Sequence, residues 1–218
     1  MEFNLDHIVI AAETLEAGVA YVKKELGIEM PFGGRHIKMG THNHLMRIGQ
    51  DIFLEIIAID PDLPVPDQPR WFGLDDPYIR VQIRKNPILL TWVANTTDIK
   101  TFLSAAPLSF GRAELISRGD LSWYFSLPRD GRLIASGILP YVIEWQTPVH
   151  PSENMADLGC RLQQLEIRHP LPEWLKSMIG PVKLPKMVRI KAGSQDKPPS
   201  LAASFETPVG TRTLSSLM

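Results

Sequence analysis

Three of the chain's six histidines fall in one stretch, Gly33-Gly34-Arg35-His36-Ile37-Lys38-Met39-Gly40-Thr41-His42-Asn43-His44-Leu45-Met46-Arg47. His42 and His44 stand two apart, so on a strand they share a face and could chelate a metal. Thr41, Asn43, Leu45 and Arg47 take the opposite face. Both faces carry polar groups, so the pattern alone leaves open which one is inside. Arg35 and His36 follow a glycine pair, where the chain is free to curve. Such a pair could hold a carboxylate or enolate-like oxygen, arginine by bidentate contact and histidine through a proton; the alternative is a solvated loop. Glu55 lies among Phe53, Leu54, Ile56 and Ile57, where an unpartnered carboxylate is costly and tends to keep its proton. If it faces a cavity, Glu55 needs a cation, a hydrogen-bond donor or work as a general base. If it reaches an exposed sheet face, it needs none of these. Trp92, Trp123 and Trp145 fall on separate strand-like runs. Core packing accounts for them, and one or two lining a pocket would imply a flat or apolar ligand.

Composition narrows the function classes. The chain has 218 residues, 44% hydrophobic and 22% charged, as in ordinary globular proteins. A formal charge of −1 gives no electrostatic case for nucleic acid or an acidic membrane. The basic residues Lys183, Lys186, Arg189 and Lys191 read as a solvated strand edge. Cys160 stands alone, which excludes an intramolecular disulfide and thiolate metal clusters, and no local motif supplies a base to activate it. The opening "MEFNLDHIVIAAETLEAG" does not read as a secretory leader, and no apolar run has membrane-helix length. The expectation is a cytoplasmic protein.

These residues must be positioned by a repeated unit. "LDHIVIAA" (5–12) reads as a buried strand, and "ETLEAGVAYVKKELG" as a helix stopped by Gly27. Strand-like runs follow at 28–34, 41–49 and 51–60, with a turn at Gly49-Gln50-Asp51. The proline-rich passage 61–71 and a short helix near 76–85 interrupt this grammar. It returns with a strand at 88–96, a short helix at 98–106, and strands at 111–119, 121–128 and 139–147. Matching Leu15 to Ile99 lays Val9 on Val93 and His7 on Thr91, an internal βαβββ repeat. A third, shortened copy follows, with strands at 160–169, 187–194 and 201–210 and a helix at 171–180. The tail "TRTLSSLM" reads as an edge strand or a frayed end. The expected organisation is a first βαβββ module (1–61), a linker with a short helix (62–87), a second module (88–150) and a C-terminal βαββ extension (151–218). The fold class is α+β, built on paired βαβββ modules.

The paired units resemble the vicinal-oxygen-chelate superfamily, and within it the glyoxalase-like domain family. The resemblance rests on "LDHIVIAAETLEAGVAY", "GGRHIKMGTHNHLMRIG", "FLEIIAIDPD", "PRWFGLD", "LLTWVANTTDI", "GILPYVIEWQTPVHPS" and "GCRLQQLEIRHP". It implies that the paired modules form curved mixed sheets around a cavity, with a divalent metal (Zn, Fe, Ni or Mn) held by the first and last strands of each unit. Carried over, the ligands are His7 and Glu55 in the first unit and Glu144 in the second. Thr91 occupies the second unit's first-strand position, which departs from the four-ligand pattern and argues against glyoxalase I activity itself. Matching the terminal prolines sets Val142 against Glu55 and Glu144 against Ile57. The resemblance also implies that Asn43 faces the cavity. Glu55, Glu144 and His36 are then the catalytic candidates, with Arg35, Asn43, Trp92 and Trp123 lining the substrate site. The implied function is a metal-dependent lyase, isomerase or dioxygenase-like enzyme acting on a small oxygenated metabolite. The alternative is a metal-free protein that binds or sequesters a small molecule in the same cavity. The expected partner is a small molecule, not nucleic acid or membrane, and a homodimer is compatible with the chain.

Overall fold

The first strand, β1 (Asn4–Ala11), is buried along nearly its whole length. It lies in the middle of an eight-stranded sheet whose two faces are both covered, which is why its sequence is a run of branched apolar residues rather than an alternation. A computed structural model describes residues 3–180 and 182–216 of the chain. After β1, Thr14 caps α1 (Leu15–Leu26) by accepting from the Ala17 N–H, and Gly27 ends the helix at φ 73°. A side chain at Gly18 would collide with Ile56, so glycine lets α1 lie close on the sheet. Three strands complete the unit: β2 (Phe32–His36), β3 (Thr41–Gly49) and β4 (Ile52–Ile59). The run expected from residue 28 becomes a strand only at Phe32, because Pro31 lacks an N–H for the ladder. Asp51 takes φ 53° in the turn between β3 and β4.

The linker carries a one-turn 3-10 helix (Trp71–Gly73) and α2 (Pro77–Lys85), the latter capped by Asp76. The second unit repeats the first as β5 (Ile88–Asn95), α3 (Ile99–Ala105), β6 (Arg112–Arg118), β7 (Leu121–Leu127) and β8 (Tyr141–Trp145). The sheet order is β2-β3-β4-β1-β5-β8-β7-β6. In each unit the first strand runs parallel to the last, β1 beside β4 and β5 beside β8. The units join through antiparallel β1 and β5, with His7 opposite Val93 and Val9 opposite Thr91. A twofold relating His7 to Thr91 and Val9 to Val93 demands those two pairs, so the repeat read from spacing is the symmetry of the sheet.

The sheet curls until its two edge strands meet through side chains. Arg118 on β6 reaches His36 on β2 at 3.3 Å, and Lys38 reaches Glu114 and the Leu115 carbonyl, each at 3.3 Å. The convex face carries α1 and α3 and a second sheet of order β10-β9-β11-β12. That sheet comprises β9 (Arg161–His169), β10 (Val188–Ala192), β11 (Ser200–Thr207) and β12 (Gly210–Ser215), with α4 (Pro172–Ile179) between β9 and β10. Residues 211–215 of the tail therefore belong to an edge strand, while 217–218 lie outside the described residues. Strands β11 and β12 pack against β5, so the core sits between the two sheets. No helix among the described residues is long and apolar enough to cross a membrane.

One buried hydroxyl ties the linker to the second unit. Tyr141 donates to the Arg132 carbonyl at 2.8 Å and accepts from the Phe72 N–H at 3.1 Å. Phe72 sits there at φ 58°, a costly conformation for a bulky residue that the surrounding contacts must hold. Replacing Tyr141 by Phe leaves the buried Phe72 N–H without its partner and removes the donor to the Arg132 carbonyl. This should lower the unfolding free energy by about 1–3 kcal/mol in urea titration. An unchanged midpoint would show that the hydroxyl does not hold the segment.

Candidate functional site

Strand β1 carries a β-bulge at Asp6: Leu5 pairs with Ala94 and His7 with Val93, so Asp6 is the extra residue. Simple alternation would send Asp6 and His7 to opposite faces. The bulge instead brings Asp6 Oδ1 to His7 Nδ1 at 2.6 Å. The other Asp6 oxygen accepts from Trp145 Nε1 at 2.7 Å and from Asn95 Nδ2 and His150 Nε2, each at 3.0 Å. Burial alone pushes this carboxyl up, but the hydrogen bonds from His150 and His7 reverse that and hold it well below the usual carboxylate range. Asp6 is therefore an anion in the interior. His150 Nδ1 accepts from the Ser152 N–H, so its Nε2 is the donor to Asp6.

In the neutral imidazole of His7, an ionised Asp6 fixes the proton on Nδ1, so the lone pair is on Nε2. The ring is held flat against Phe53, centroids 4.4 Å apart and 19° from parallel. His7 Nε2 faces Glu55 Oε2 at 3.6 Å, while Glu55 Oε1 accepts from Asn43 Nδ2 at 2.6 Å. Asn43 Oδ1 in turn accepts from Arg118 Nη1 at 3.3 Å, so both ends of its amide have a partner that sets its orientation. The same Arg118 nitrogen donates to His36 Nε2, which puts the His36 proton on Nδ1, facing Thr41 Oγ1 at 3.1 Å. Burial, and then the Arg118 charge, push His36 down to about 3. Burial also lowers Arg118, against the pull of Glu55.

These groups surround a cavity of about 40 Å³ on the concave face. Its walls include Phe53, Trp71, Phe72, Trp123, Phe125 and Trp145. His7, Glu55, His36, Asn43 and Trp123 thus stand together. Other candidates stand elsewhere. Glu144 points away, because β5–β8 register sets Val93 against Tyr141 and Asn95 against Ile143, turning the odd-numbered residues of β8 inward. Glu144 instead accepts from the Ile99 N–H at the start of α3 and lines a separate groove of about 840 Å³. Arg35 lies on the outer face, paired with Asp60 at 2.9 Å and Asp62 at 2.7 Å. His42 is also drawn to Asp60, at 3.4 Å, and His44 bonds the Met30 carbonyl, so the two form no metal pair. Trp92 is buried in the core and donates to the Ile138 carbonyl.

The donor set can be tested against a divalent metal. By the register, the position matching Glu55 in the second unit is Tyr141: Val9 pairs with Glu55 as Val93 pairs with Tyr141. The Tyr141 hydroxyl is bound to the Arg132 carbonyl, and Thr91 donates to the Gly137 carbonyl at 2.9 Å. Only His7 Nε2 and Glu55 Oε2 remain, and no group of three or more metal-ligating side chains forms among the described residues. The Arg118 cation lies two hydrogen bonds from Glu55 through Asn43. These residues do not fit the resident metal centre that the resemblance implied.

Asp6, Arg118 and His150 are absent from the candidates read from the sequence. Asp6 needed the bulge to be known. Arg118 ends β6, the symmetry mate of the strand holding Arg35 and His36, which was the available signal.

The depressed His36 makes a pH prediction. The unfolded chain takes up a proton near the ordinary value of 6.5, whereas the folded imidazole does so only near 3. Its contribution to stability is complete above 6.5 and is lost as pH falls toward 3. His36→Gln should flatten the fall of Tm with acidification across that window. An unchanged slope would contradict the neutral, Arg118-bonded state.

Comparison with curated proteins gives no match. Among solved structures, a hypothetical protein from Staphylococcus aureus aligns at TM-score 0.58 and 12% identity, covering 88% of this chain and 87% of that one. A methylmalonyl-CoA epimerase from Mycobacterium tuberculosis aligns at TM-score 0.41 and 18% identity, over 64% of this chain and 86% of that one. A methylmalonyl-CoA epimerase in complex with methylmalonyl-CoA aligns at 0.40 and 16%, over 67% and 97%. The glyoxalase-like domain matches residues 5–179, spanning both βαβββ units and β9 with α4. The chain belongs to the glyoxalase-like domain family.

Proposed function

We propose that this protein catalyses proton transfer at a carbon next to a carbonyl in a small oxygenated metabolite, an isomerase-type reaction. The observation that carries this reading is His7. Its Nδ1–H is committed to buried Asp6 at 2.6 Å, and its Nε2 faces the cavity beside Glu55 at 3.6 Å with no other partner among the described residues. Geometry and tautomer together suit Nε2 to act as a general base.

In the proposed step Nε2 takes a proton from the carbon. The C–H electron pair forms the carbon–carbon double bond of an enolate, and the carbonyl π pair moves onto oxygen. The imidazolium so formed lies between two carboxylates, Asp6 and Glu55, which favour its charge. Return of the proton to the same face gives exchange alone, and delivery of a proton to the opposite face inverts the carbon, an isomerisation that consumes no oxidant or cofactor. The apolar rings of the wall keep bulk water from the enolate. Because the donor set does not fit a three- or four-ligand centre, the reading assigns this chemistry to the chain's own residues.

The test is solvent exchange. A panel of small carbonyl compounds in deuterium oxide is followed by proton NMR for enzyme-dependent loss of the α-hydrogen signal. Wild type should exchange at least one compound. His7→Gln should lower that rate by about 10²–10⁴-fold and Glu55→Gln by at least about tenfold. No exchange across the panel, or a His7→Gln rate equal to wild type, would overturn the reading. Protein prepared without an affinity tag and dialysed against EDTA should keep its rate. A loss restored by Zn²⁺, Fe²⁺, Ni²⁺ or Mn²⁺ would reinstate a metal.

A further inference from the structure

The cavity wall holds one hydrogen-bond donor without an acceptor and one cation without a counter-ion among the described residues. Trp71 lines the cavity, is 3% exposed, and its Nε1 has no hydrogen-bond partner. Such an indole N–H is costly in a dry site. Arg118 lines the same cavity and is largely removed from water, which lowers its pKa. Its hydrogen bonds all leave through Nη1, to two neutral acceptors, His36 Nε2 and Asn43 Oδ1. Among the described residues no carboxylate forms an ion pair with it. Glu55, the acid whose charge it feels, is hydrogen-bonded by Asn43. A half-buried cation without a counter-ion is a ready site for an anion. The two donors are neighbours, because both touch His36: Arg118 at its Nε2, and Trp71 with its ring edge-on at 4.8 Å.

We propose that Arg118 and Trp71 form the carboxylate-binding subsite of this cavity, and that the substrate is a short-chain carboxylic acid. The proposal rests on the proton-transfer reading above for the rest of the substrate, but not for the binding itself. A carboxylate supplies what the subsite lacks: one negative charge and two oxygens to accept from the remaining guanidinium N–H groups and the indole N–H. Arginine suits this role because its planar fork meets both oxygens at once. The volume of about 40 Å³ selects a short chain. The carbon next to the carboxylate would then lie on the side of Asn43, Glu55 and His7. The charge of Arg118 would also stabilise an enolate formed at that carbon.

Binding can be measured without turnover. Pyruvate and its neutral isostere pyruvamide are titrated against the full chain by saturation-transfer NMR. Pyruvate should bind at least tenfold more tightly than pyruvamide. Arg118→Gln should remove most of that preference and weaken pyruvate at least tenfold. Trp71→Phe should weaken pyruvate several-fold. Arg118→Lys, which keeps the charge without the fork, should fall between wild type and Arg118→Gln. Circular dichroism and Tm confirm that each variant is folded. Equal binding of the two probes, no saturable binding of pyruvate by wild type, or unchanged affinity in folded Arg118→Gln would overturn the proposal. His7→Gln separates it from the catalytic reading: it should abolish exchange while retaining pyruvate. Binding without exchange in wild type would sink the catalytic reading alone.

Discussion

The buried carboxylate of Asp6 is the constraint on which the rest depends. A charge at 0% exposure is tolerable only if its oxygens are fully engaged. Its partners come from His7 on β1, Asn95 on β5, Trp145 on β8 and His150 in the segment after it. Satisfying one anion therefore locks together the strands on both sides of the twofold. It also sets the tautomer of His7, so the interaction that secures the floor of the cavity prepares its base. Removing any one donor would loosen the fold and the chemistry together.

The opposite pole of the cavity is a cation. Arg118 sits on one edge strand and reaches His36 and Asn43 in the other half, so it helps close the curl of the sheet. Between Asp6 and Arg118 runs one polar chain through His7, Glu55 and Asn43. All links but one are hydrogen bonds. The exception is the 3.6 Å approach of His7 Nε2 to Glu55 Oε2, too long for a good hydrogen bond. The gap is where a proton, and the substrate that carries it, can be accommodated. Aromatic walls keep the local dielectric low, which strengthens the electrostatics of the whole chain of groups.

The repeat was legible because helix starts and apolar runs recur in the same order in both halves, and these report backbone topology. The cavity position of Asn43 came through the resemblance, since strand alternation alone left both faces of β3 open. What stayed hidden depended on register. Asp6 reads as an outward neighbour of His7 until the bulge is known. Glu144 failed on parity: aligning the terminal prolines slipped β8 by one residue, and one residue exchanges the faces of a strand. Arg35 and Arg118 illustrate the same limit. Both are arginines near the end of a second strand, yet Arg35 pairs outward with Asp60 and Asp62 while Arg118 points in.

The two halves share a backbone but divide the labour. In the first unit the inward positions of the first and last strands hold His7 and Glu55, free to act on a ligand. Their symmetry mates, Thr91 and Tyr141, hold backbone carbonyls instead. Those hydroxyls serve segments with special conformations: Thr91 binds Gly137, at φ 90°, and Tyr141 binds the Phe72 N–H, at φ 58°. The second unit has thus turned two potential ligand positions into structural clamps, and one of them fixes the segment that carries Trp71. A fold built by duplication can afford this, because symmetry preserves the cavity while each half is free to change what lines it. The same clamp that removes Tyr141 from a metal centre holds the segment whose indole packs edge-on against His36, the ring that Arg118 bonds. The poor fit to a chelate and the proposed carboxylate subsite are therefore two consequences of one packing arrangement.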